Sequence, residues 1–250
     1  MTRSKPRECH VAGVMKAILT AGVIAPLISG LFAPAAQGSV RPLVVINLTP
    51  PIELGPATTA TERVPNPFAK SAGLPLLPPS NKIVRYTYHE SMFAEALAIR
   101  PKGRATFVGH PQFRAPKRTP GPKYFVLPSR GRGTGATTAT DVVLRKGTKV
   151  KSPVTGTVVR TTDFRLYCQR PDTRIIIRPQ RRPNLRVVIF HVDRPRVSRG
   201  DTVLAGKSIL ARVRNFSNSR AQYDDFVPGN HPHIHLEVQR GKVFPLPGCK

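Results

Sequence analysis

From Tyr124 to the end of the chain, short apolar and β-branched runs alternate with turn residues. This pattern predicts strands at 141–144, 156–161, 173–178, 185–191, 208–213, 234–239 and 242–244, with Gly147, Gly156, Gly200 and Gly206 between them. Many short strands separated by turns predict an antiparallel all-β domain over 124–250, a sandwich or a narrow barrel-like fold. Residues 88–100 are the one helix candidate: Phe93, Ala96, Leu97 and Arg100 fall at helical spacing and Pro101 stops the run. On that reading His89 and Glu90 are capping or surface groups. Residues 40–80 carry nine prolines, a density that excludes long helices and alternating strands. Residues 36–80 are therefore expected to form a largely irregular proline-rich linker, in which only the apolar run 43–46 suits a docked strand. Residues 81–123 read as a basic segment with the one short helix.

The N-terminus has a different texture. Arg3, Lys5, Arg7 and Lys16 precede an apolar run from Ala17 to Ala33, and Ala33-Pro34-Ala35 is a small-x-small site just past it. This is the layout of a secretory signal peptide over 1–35, and it predicts export to the cell envelope or beyond. A membrane association is expected only through this segment, if it stays uncleaved. With the signal removed, Cys168 and Cys249 remain, and an even pair in an exported protein predicts a disulfide.

Charge changes the picture of partners. Lys and Arg number 40 against 13 Asp and Glu, a formal net charge of +27. Such a chain suits polyanions. Export, and an aromatic content of only 6 % with few rings in the basic stretches, argue against nucleic acid and for an anionic cell-wall polymer. Arg178, Arg181, Arg182 and Arg186 are the basic residues expected to meet it.

The candidate chemistry lies in His231-Pro232-His233-Ile234-His235-Leu236-Glu237-Val238. Two histidines one residue apart in an alternating apolar stretch share a face of a strand. They can aim two imidazoles at one point, where one can ligate a metal and the other can serve its bound water.

Two further pieces share a rhythm: Gly147-Thr148-Lys149-Val150 followed by Gly156, and Gly200-Asp201-Thr202-Val203 followed by Gly206. With His191 upstream of the second piece and His233-Ile234-His235 downstream, the order resembles the lysostaphin-type (LytM-type) zinc endopeptidases, which cleave peptide cross-links of peptidoglycan. The resemblance covers roughly 124–244. It implies that Asp141 and His235 are zinc ligands, that His191 and His233 assist the attacking water, and that peptidoglycan is the partner. The family's first ligand is a histidine four residues before the aspartate. That position here is Thr137, and 133–140 holds no imidazole, thiol or carboxylate. Two protein ligands leave a zinc site incomplete, since catalytic zinc usually takes three. His231 and His110 are the possible substitutes. The expectation is a degenerate, non-catalytic wall-binding or regulatory module; the alternative is an active zinc endopeptidase with an unusual third ligand.

Overall fold

The computed structural model describes residues 65–216 and 219–246. These residues belong to the unit Thr59–Lys250. The signal-like segment, the linker up to residue 64 with its run 43–46, and Cys249 lie outside the described residues; the expected partner of Cys168 does so with them.

The strands are β1 (Ala69–Ser71), β2 (Leu74–Leu76), β3 (Ile83–His89), β4 (Ile99–Pro101), β5 (Arg104–Val108), β6 (Lys123–Val126), β7 (Ala139–Leu144), β8 (Lys149–Lys151), β9 (Gly156–Leu166), β10 (Arg170–Pro179), β11 (Leu185–Asp193), β12 (Thr202–Val203), β13 (Ile209–Val213) and β14 (His233–Arg240). A small sheet has the order β2-β1-β4, and the main sheet runs β12-β9-β10-β11-β14-β7-β3-β6-β5, with β13 pairing β11 and β8. Pairing is antiparallel except that β6 lies parallel to both β3 and β5. The fold is all-β, as the alternation predicts, and its end strands do not meet, so the main sheet is not a closed barrel.

Period-two patterning decides which side chains go where. Ile175 and Ile177 of β10, Val187 and Ile189 of β11, Ile234, Leu236 and Val238 of β14, Val142 and Leu144 of β7, and Tyr86 and Tyr88 of β3 form one continuous buried core. The alternate positions of β3, β7 and β14 point to the opposite face, where the polar residues gather. Gly156 shows how tightly the backbones approach: a Cβ there would lie 2.2 Å from the carbonyl oxygen of Arg178.

Two expectations need correction. Residues 88–100 form no helix: β3 runs through His89, a turn follows, Ala96 bridges to Gln239, and β4 begins at Ile99. Tertiary packing overrides the helical spacing, because Tyr86 stacks on Phe68 at 4.6 Å and Tyr88 meets Tyr124 edge-on at 5.5 Å, both from the core face of a strand. The end of the proline-rich stretch is also ordered: β1 and β2 pair as a hairpin with Phe68, Leu74 and Leu76 buried. Pro75 is tolerated because β2 is an edge strand. Residues 242–244, expected as a strand, are irregular.

Ile189 is fully buried and pairs with Leu236. Ile189→Ala should therefore lower the unfolding free energy by about 2–5 kcal/mol in a urea titration, the range for a truncation that leaves a core cavity.

Candidate functional site

Register brings the polar face together. His235 of β14 lies opposite Asp141 of β7, and Asp141 lies opposite Thr87 of β3. His89 is two residues beyond Thr87 and therefore on the same face, opposite Ala139. Three adjacent strands thus deliver His89, Asp141 and His235 to one place, with ligand atoms all within 4.8 Å of one another. Oδ1 of Asp141 lies 3.1 Å from Nε2 of His89, 2.9 Å from Nδ1 of His235 and 3.9 Å from Nε2 of His233.

This donor set fits a zinc ion. Ligands at about 2.0–2.1 Å in a tetrahedron sit roughly 3.3 Å apart, close to two of these separations. Nδ1 of His89 donates to the carbonyl of Glu90 at 2.8 Å, which leaves the lone pair on Nε2. That nitrogen is buried and makes no hydrogen bond of proper geometry, Asp141 included, as befits a ligand atom. Nε2 of His235 meets Oε1 of the fully buried Glu237 at 2.8 Å, which leaves Nδ1 for the cluster. A carboxylate or carbonyl behind each imidazole fixes its tautomer and raises its basicity.

The electrostatics follow from this crowding. Burial would raise the Asp141 carboxyl, but the imidazoles of His89, His233 and His235 outweigh it and hold it well below the usual range. Burial pushes His89 down, so this ring is neutral at pH 7. Burial also opposes charge on His235, yet Asp141 and Glu237 raise it to about 9.

The two other predicted histidines flank this cluster. His191 has φ 63, left-handed for a non-glycine residue. It sits at a register break, where Ile175 faces Ile189 but Thr173 faces Val192. The bulge turns its ring to the same side as Phe190, within 4.8 Å of His233 and 5.9 Å of His235 between ring centres. The buried Asp172 of β10 accepts from its Nδ1 at 2.7 Å and from its backbone N–H, leaving Nε2 for the cleft. The Tyr223 hydroxyl donates to the carbonyl of His231 at 2.7 Å, so its oxygen accepts from Nδ1 of His233 at 3.0 Å. Nε2 of His233 is therefore an unprotonated acceptor, and burial holds this ring at about 3. The side chains of His191, His233 and His235 keep 13–15 % exposure and line a cleft of about 460 Å³, whereas His89 keeps 1 %. His89 can hold an ion; the flanking pair can touch a substrate.

Asp141, His191, His233 and His235 are thus brought together as the sequence predicts. The proposed substitutes are not. His110 is buried against Glu90 at 3.4 Å, and His231 lines a separate hollow with Ile83, Val84 and Lys146. Thr137 occupies a turn before β7, and the third potential ligand beside Asp141 and His235 comes from the neighbouring strand as His89. His89, Glu237, Asp172 and Tyr223 escape the sequence reading. Period two from His233 places Glu237 in the same row, a signal present in the sequence. The alternation of Tyr86 and Tyr88 with Thr87 and His89 is a second such signal.

No family model and no curated protein matches this chain. Among solved structures, LytU is similar at 26 % identity over 44 % of this chain and 66 % of its own, with a TM-score of 0.33. The chain thus covers just under two thirds of the length of that structure.

With His235 at about 9, an ion entering at pH 7 must displace its Nδ1 proton. Zinc uptake should release about one proton per ion. Apparent affinity should fall roughly tenfold per pH unit below 9. Calorimetry in buffers of different ionisation enthalpy measures both; uptake without proton release would contradict the assignment of His235.

Proposed function

We propose that the chain is a zinc-dependent endopeptidase of lysostaphin type that acts on peptide cross-links of peptidoglycan after export. The observation that carries this reading is the buried, unbonded Nε2 of His89 beside Asp141 and Nδ1 of His235, which completes a set of three protein ligands. It favours the active alternative over the degenerate module expected from Thr137. The order of the Gly-x-x-Val turns, His191 and His233-Ile234-His235 supplies the substrate class by resemblance.

A zinc ion held by His89, Asp141 and His235 would supply the positive charge that lowers the pKa of water and polarises a carbonyl. The chain's own groups do the rest. Nε2 of His233 is an unprotonated acceptor facing the cleft, suited to take a proton from the attacking water. His191, held by Asp172, presents Nε2 from the other side and can donate to a developing oxyanion or to the leaving amine. Phe190, Phe164 and Phe216 give the cleft an apolar wall beside these groups.

His89→Ala should remove stoichiometric zinc and with it hydrolysis of purified cell wall. His233→Ala should keep the zinc and lower kcat by about 10²–10⁴, the usual contribution of a general base. Metal analysis together with release of soluble peptides measures both. A native protein that holds no zinc, or a His89→Ala protein that still holds one per chain, would refute the assignment.

A further inference from the structure

The walls of the cleft carry a charge pattern that the hydrolytic reading does not use. Arg130, Arg132, Arg165 and Arg220 line it, and Asp141 is the one carboxylate among the described lining residues. Arg130 and Arg132 are tied by hydrogen bonds to Glu90, the residue that follows His89. Arg130 is half-buried, and its Nε donates to the side-chain oxygen of Gln222. Arg132 donates Nη1 to the carbonyl of Glu90 at 3.0 Å. Among the described residues neither guanidinium forms an ion pair with a carboxylate, so each keeps donors for a ligand.

Their loop is not a loose one. The buried Glu90 carboxylate accepts from the backbone N–H of Arg130 at 2.6 Å, from that of Arg132 at 3.1 Å and from the Ser129 hydroxyl at 3.0 Å. The Glu90 carbonyl accepts both Nδ1 of His89 and Nη1 of Arg132. One residue thus fixes the two arginines relative to His89. A guanidinium fork held at a defined place on the cleft wall, half-buried at Arg130 and exposed at Arg132, matches the planar, bidentate geometry of a carboxylate.

We infer that Arg130 and Arg132 form a subsite for a free carboxylate on the substrate, so that the enzyme selects acidic peptides over their amidated forms. The inference rests on the hydrolytic reading, but the binding preference itself needs neither zinc nor turnover.

The test uses the full chain treated with chelator and two synthetic pentapeptides bearing the same neutral fluorophore. One, Ala-Glu-Lys-Ala-Ala, has its side-chain and terminal carboxylates free; the other has both as amides. Fluorescence anisotropy gives the ratio of their dissociation constants. The acidic peptide should bind at least about tenfold tighter, as charge-assisted bidentate pairing predicts. In Arg130→Gln/Arg132→Gln the ratio should collapse toward one, and Arg132→Gln alone, at an exposed side chain, should lower it in part. Lys117→Gln/Arg118→Gln, an equal loss of exposed charge outside the cleft, should leave it unchanged. A ratio near one in the native protein, or a preference that survives in the double variant, overturns the subsite. A protein that shows the preference yet neither binds zinc nor cleaves cell wall would sink the hydrolytic reading while sparing this one.

Discussion

A carboxylate buried in the middle of a sheet is costly unless cationic or hydrogen-bonding groups surround it. Asp141 is such a group, 3 % exposed at the centre of β7. Antiparallel pairing on both sides answers the need: β14 brings His235 and His233, and β3 brings His89. The rings in turn need partners for their far nitrogens, and Glu237, Tyr223 and the Glu90 carbonyl provide them. The polar network is thus propagated outward from a single charge. Each layer is fixed in tautomer by the next, while the opposite face of the same strands packs into the main apolar core.

The sequence makes the all-β fold legible because β-branched alternation is local. Six of the seven expected strands coincide with β7, β9, β10, β11, β13 and β14 within a few residues. The face-sharing of His233 and His235 is legible for the same reason. The third donor was hidden by two local coincidences. Phe93, Ala96, Leu97 and Arg100 mimic a helical stripe, which made His89 look like a helix start, and the proline-rich surroundings made 81–123 look peripheral. What places His89 is its register against Ala139, fifty residues on. Pairing of that range depends on core packing by Tyr86 and Tyr88, which no short window contains. A threonine hydroxyl is a poor zinc ligand, but an empty position in one motif says nothing about what an adjacent strand supplies.

Glu90 links the loop of Arg130 and Arg132 to the ring of His89. Burial would raise its carboxyl, yet donors from Arg132, Arg130, Ser129 and His110 hold it at about 2. It therefore stays charged throughout the physiological range. Because its own carbonyl orients His89, any shift of the arginine-bearing loop is felt at the ring that faces Asp141.

The bulge at His191 has a consequence for how this chain tolerates change. A left-handed backbone is least strained with glycine, and holding a branched ring there costs roughly 1–3 kcal/mol. The same kink releases β11 from β14 and hands its last residues to β13. Glycine would relieve that strain, but it would also take the imidazole away from the buried Asp172 carboxylate. The kink and the buried charge of Asp172 thus hold this histidine in place together, one through the backbone and the other through the ring.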